Sequence, residues 1–108
     1  MPTDDRLQSL LKMLEAEPDD AFCLYGVAQE YAGREDHAQA ESFYLKAIAA
    51  DPTHAYSRFH LARTLEAMDR DEEAIAVLRE GKAVAEQTGD GHAVSEIQGF
   101  LLELGVDS

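Results

Sequence analysis

The chain is short of basic residues. Nine lysines and arginines stand against 22 aspartates and glutamates, for a formal charge of −13, and no stretch of the sequence is basic. Neutralising nucleic-acid phosphates takes a Lys/Arg surface, so nucleic acid is not expected as a partner. Anionic membrane surfaces are disfavoured for the same reason. The single cysteine, Cys23, cannot form an internal disulfide, which fits a reducing compartment. Valine, isoleucine and threonine are too sparse to suggest a sheet, and only three prolines and seven glycines interrupt the 108 residues. No run approaches the roughly 18 apolar residues of a membrane span. The start, MPTDDRLQSLL, lacks the basic region and apolar run of a signal peptide. Cytoplasmic is the expected location.

What the chain does have is an echo of 34 residues. Ala21 returns as Ala55, Ala28 as Ala62, Ala40 as Ala74 and Ala49 as Ala83. Large residues return in kind: Phe22 as Tyr56, Tyr25 as Phe59, Val27 as Leu61, Tyr31 as Leu65, Tyr44 as Leu78. A fixed period of this length marks stacked repeats, in which one unit cannot bury its apolar face alone.

Six helical segments fit the pattern. Thr3 or Asp4 can cap the first, whose stripe is Leu7, Leu10, Leu11 and Leu14, and Pro18 stops it. The second, from about Asp20 to Gly33, places Leu24, Val27, Ala28 and Tyr31 on one face. Asp36 with Gln39 resembles a capping box and starts the third, with Ala40, Phe43, Tyr44, Ala47 and Ile48 apolar. Asp51-Pro52 breaks the chain, and Thr53 is the expected cap of the fourth, with Leu61, Ala62 and Leu65. Asp69 and Glu72 offer a cap for the fifth, which carries Ala74, Ile75, Leu78, Gly81 and Ala85. After Thr88-Gly89-Asp90-Gly91, the sixth carries Val94, Ile97, Leu101 and Leu104 before the stop at Gly105. The small residues Ala28, Ala62, Ala40, Ala47 and Ala74 are expected where helices approach closely. Loops are short, so sequential helices should pack antiparallel.

These residues resemble the tetratricopeptide repeat pattern W-x2-L-G-x2-Y, then A-x3-F, then P, over one 34-residue unit. Leu24, Val27, Ala28, Tyr31, Ala40, Tyr44, Ala47 and Pro52 match in one unit; Leu61, Ala62, Leu65, Ala74, Leu78 and Gly81 match in the next. Arg58 stands where the aromatic would be, Glu35 and Asp69 where the turn glycine would be, and Glu86 where the proline would be. The missing proline predicts that the fifth helix runs on to about Gln87. The sixth looks like the first half of a third repeat, displaced by about two residues, with Ser95, Glu96, Gln98 and Glu103 as its polar outer face.

The resemblance, to a small stand-alone member of the kind common in bacteria, implies an all-α superhelix (solenoid) of antiparallel helix pairs. One domain over residues 1–108 would hold a half-repeat helix (1–18), two repeats (21–54 and 55–88) and a capping helix (91–105). It also implies a peptide-binding face on the first helix of each repeat. The helical projection independently turns Phe22, Tyr25 and Gln29 roughly 130° from the buried stripe. Tyr56, Phe59 and Arg63 repeat that direction, with His60 beside them. A helix with one buried stripe does not need four aromatics on another face, and exposed aromatics and arginine are typical binding anchors. The competing reading is that these rings pack against neighbouring helices. The lysine and asparagine clamp by which some relatives hold a C-terminal carboxylate is missing: Tyr25, Gln29, Tyr56 and His60 occupy its places.

Little points to catalysis. The histidines His37, His54, His60 and His92 form no pair at metal-ligand spacing, and all but His60 are expected at the surface. Cys23 has no lysine or histidine partner nearby in sequence. Phosphate-loop, dinucleotide and serine-elbow motifs are missing. Asp69, Asp71, Glu72 and Glu73 lack the spacing of a calcium loop and suit a helix N-terminus. No cofactor, metal or enzymatic activity is expected. The expected function is a non-catalytic interaction module for a neutral to basic protein or peptide. The alternative is self-association through an exposed repeat face or the terminal helices.

Overall fold

The computed structural model describes the backbone of residues 2–106 and the side chains of residues 6–106. Six α-helices and no strand are present among the described residues: α1 (Pro2–Ala16), α2 (Ala21–Gly33), α3 (His37–Ala50), α4 (Ala55–Ala67), α5 (Asp71–Thr88) and α6 (Gly91–Glu103). The chain divides into two compact units, Met1–Asp51 and Pro52–Ser108.

In the first unit α2 packs against both α1 and α3. Leu7 and Leu10 of α1 meet Cys23 and Val27 of α2, flanked by Leu11, Leu14, Tyr31 and Phe43. Gly26 lets α1 come close, since a Cβ there would lie 3.1 Å from Leu10 Cδ1. The Arg6 guanidinium meets the Glu30 carboxylate at 2.9 Å beside this contact. Tyr44 is the largest fully buried side chain and fills the space left by Ala28 and Ala40, both without exposed surface.

In the second unit α5 packs against α4 and α6. Ala62, Ala74, Leu78, Ala85 and Leu101 have no exposed surface. Gly81 is the close approach here: a Cβ would lie 3.2 Å from Arg58 Cβ and 3.3 Å from Ile97 Cδ1. That contact explains Arg58 at the usual aromatic position. Its stem covers Gly81, while Nη1 donates 2.7 Å to the Pro52 carbonyl and Nε lies 3.7 Å from Glu80. Ala49 and Ala83, by contrast, are exposed, so that echoed pair marks no helix contact.

Helix ends follow local chemistry. Asp20, Asp36 and Asp90 accept from the backbone N–H of Cys23, Gln39 and Ala93, capping α2, α3 and α6. Three expected caps need correction. Helix α1 begins at Pro2, so Thr3 and Asp4 lie inside it; proline suits a first turn because it has no N–H to satisfy. The N-cap of α4 is His54 rather than Thr53, and its Nδ1 lies 2.7 Å from Ser57 Oγ. The N-cap of α5 is Arg70, which pairs with Glu73 at 2.7 Å. Asp69 cannot cap, because its φ of 60° is left-handed whereas an N-cap is extended. Glu35 has the same φ of 60°. Both stand where the repeat usually has glycine. Helix α5 runs to Thr88, ended by Gly89 at φ 74°.

Candidate interaction faces

In the first unit, Phe22, Tyr25 and Gln29 lie along one face of α2. Phe22 is 75% exposed. Tyr25 is half-buried; its ring leans on Tyr44, with centroids 6.0 Å apart, and its hydroxyl accepts from Gln29 Nε2 at 3.2 Å. This face is therefore an exposed ring beside a tyrosine held in place by a hydrogen bond and by packing.

In the second unit, Tyr56, Phe59 and His60 are half-buried and Arg63 is exposed. The rings do pack against a neighbour, as the competing reading has it, while keeping accessible surface. Phe59 meets Phe100 of α6 edge-on at 5.6 Å, and His60 meets Phe59 edge-on at 5.2 Å. Tyr56 packs on the Ala55, Ala85 and Ala93 cluster. Three imidazoles surround it, with centroids at 6.4 Å for His54, 6.5 Å for His60 and 6.4 Å for His92. Farther along α4, a cavity of about 240 Å³ is lined by Phe59, Arg63, Glu66, Phe100 and Glu103.

The electrostatics of this face are uneven. Burial holds His60 below the ordinary histidine range, helped by Arg63 and His54 and opposed by Glu96. Partial desolvation raises the Tyr56 phenol, with Glu96 and Asp90 adding to the effect. His92 Nε2 lies 2.8 Å from Glu96 Oε1. Burial, then the Asp20 carboxylate, pushes the Cys23 thiol up, opposite to what an activated nucleophile needs. His37 and His54 are half-buried rather than at the surface, and the buried His37 Nδ1 has no hydrogen-bond partner. Among the described residues no three His, Cys, Asp or Glu side chains are arranged to hold a metal. No helix among them is long and apolar enough to cross a membrane.

Two features went unread in the sequence. Phe100 is buried and forms the α6 side of the aromatic contact. Its signal was the i, i+3 spacing from Ile97. The other is a cavity of about 880 Å³ in the first unit, lined by Leu11 and Leu14 of α1, Leu24, and Phe43 and Lys46 of α3. Lys46 Nζ sits 4.5 Å above the Phe43 ring. Met13 and Leu45, on the same two helices, are about half exposed, at 53% and 51%.

Comparison with known proteins bears on how these helices came to be arranged. The chain resembles a solved tetratricopeptide repeat domain protein from Salinibacter ruber. Its solution NMR structure superposes with a TM-score of 0.76 at 28% identity, over 82% of this chain and 89% of that one. The crystal structure of a tetratricopeptide repeat domain protein from Salinibacter ruber gives a TM-score of 0.74 at 28% identity, over 80% and 96%. The crystal structure of MamA gives 0.71 at 16% identity, over 95% and 68%, a likeness of fold. No curated protein matches the sequence. A family model described as tetratricopeptide repeat matches residues 31–95. That span is more than half of the chain and runs from the end of α2 through α3, α4 and α5 to the start of α6. The chain belongs to the tetratricopeptide repeat family.

Proposed function

We propose that the chain is a non-catalytic module that binds a peptide segment or partner protein on the groove face of its repeats, through the partly exposed rings of α2 in the first unit and of α4 in the second. Tetratricopeptide repeats generally mediate protein–protein interaction, and the family is generally non-catalytic. The observation that carries the reading is the partial exposure of rings at Phe22, Tyr25, Tyr56 and Phe59, beside exposed Gln29 and Arg63 and half-buried His60. Rings of this kind contribute contact area at low entropic cost. With a net charge of −13, encounters favour neutral to basic partners. The test is affinity capture from the native cell with wild type and with Phe22→Ala/Tyr56→Ala. Phe59 is left in place because it braces α4 on Phe100. Partner loss in a variant whose circular dichroism is unchanged supports the reading, and equal capture opposes it.

A second reading is self-association through the first unit. The cavity lined by apolar residues of α1, α2 and α3, together with the exposure of Met13 on α1 and Leu45 on α3, favours it. Light scattering over a wide concentration range tests it. A mass that rises with concentration for wild type but not for Leu45→Glu supports it, and a monomer throughout removes it.

A further inference from the structure

We propose that the cleft between α4 and α6 takes a cationic side chain, a lysine or arginine of a partner segment, and releases it when the histidines around Tyr56 are protonated. The proposal rests on the reading of this face as an interaction face and names the chemistry of its partner.

The floor of the cleft is aromatic: Phe59 against Phe100, with Tyr56 at the other end. Arg63 and Glu66 of α4 and Glu103 of α6 line the cavity with Phe59 and Phe100, while Asp90 and Glu96 stand at the Tyr56 end. Helix α5 packs against both, and its Glu80 is paired with Arg58. Glu66 and Glu103 thus stand with Arg63 at the cavity and Asp90 and Glu96 at the Tyr56 end, and Glu66, Glu96 and Glu103 are exposed. An alkylammonium or guanidinium group fits this arrangement. Its methylenes lie on the rings, its charge meets the ring faces, and the carboxylates pair with it. An anionic segment would meet net repulsion.

Proton sensitivity follows from where the imidazoles sit. His92 is 2.8 Å from Glu96, so a protonated His92 takes up the carboxylate charge that the incoming cation would use. His54 and His60 are the other two rings against Tyr56. His60 stays neutral through the neutral range, because burial, Arg63 and His54 hold it below the ordinary histidine range. Near neutrality the cleft is net negative.

The test is an NMR titration of the full chain with acetyl-tetraarginine amide, at about pH 7.5 and about pH 5.5, the two sides of the histidine range. The expected result is shifts centred on Tyr56, His60, His92 and Glu96, with affinity about fivefold lower at the acidic pH. Glu96→Gln should weaken binding by a similar factor at the higher pH. His60→Gln/His92→Gln should hold most of its affinity on acidification. Shifts centred on Asp71, Glu72 and Glu73 at the start of α5, or spread evenly over the acidic surface, overturn the proposal. So does cleft binding that is unchanged or tighter at the lower pH, or an acid loss in the double variant as large as in wild type. A cellular partner that Phe22→Ala/Tyr56→Ala loses, but that binds independently of pH and of Glu96, overturns the cationic site alone. A partner captured equally by wild type and that variant tells instead against the interaction face.

Discussion

Two residues carry an unfavourable backbone. Glu35 and Asp69 both have φ of 60°, a conformation that costs a residue with a Cβ about 1–2 kcal/mol. Glycine removes that cost but gives the unfolded chain more freedom, worth about 0.4–1 kcal/mol in the other direction. Glu35→Gly and Asp69→Gly should therefore each raise stability, by up to about 1 kcal/mol, read from urea midpoints at unchanged slope. A fall in midpoint would mean that the side chains hold the turn in some other way. His60 makes a second residue-scale prediction. Its folded pKa lies below its unfolded value, so the unfolded chain takes up the proton first as pH falls. Its contribution is full above about pH 6.5 and is lost below it. Replacing it in a folded His60→Gln variant should flatten the fall in urea midpoint between about pH 7 and about pH 5. An unchanged slope would contradict this.

Elements are set by where helices touch and how they end. Gly81 and Gly99 are both interior to helices, yet their surroundings differ. Gly99 has open space around it, so Gly99→Ala should stabilise α6 by about 0.5–1 kcal/mol through helix propensity. At Gly81 the added methyl meets Arg58 Cβ and Ile97 Cδ1, so Gly81→Ala should gain less than Gly99→Ala or lose stability. Thermal melts of the two variants decide it, and equal gains would refute the close approach. Asp90→Ala should cost about 1 kcal/mol, by leaving the first turn of α6 uncapped.

The same scale shows what was legible in the sequence. The echo located the helices, the buried Ala28, Ala62, Ala40 and Ala74, and the long α5. The same register also places two N-caps that differ from those expected. Asp20 maps onto His54 and Asp36 onto Arg70, the observed N-caps, whereas Asp69 maps onto Glu35 in the left-handed turn. Register is a stronger guide to these caps than residue preference for Thr and Asp. Ring exposure was not legible, because helical projection gives direction but not the neighbour that arrives there. Phe59 is partly covered only because α6 brings Phe100 to it.

At the scale of the whole molecule, the excess of acidic groups over basic ones governs encounter. Binding through an acidic surface weakens as the Debye length falls from about 10 Å at 0.1 M salt to about 3 Å at 1 M. Partner affinity should therefore drop with salt, while aromatic contacts preserve a residual part. A salt-independent Kd would show that the charge −13 plays no part in recognition. The central claim is that the partly exposed rings of α2 and those of α4 contact a partner protein. It is tested most directly by measuring, side by side, what wild type and Phe22→Ala/Tyr56→Ala retain from the native cell, with both shown folded by circular dichroism. The account predicts a protein retained by wild type and lost by the variant. The same protein retained equally by both would contradict it.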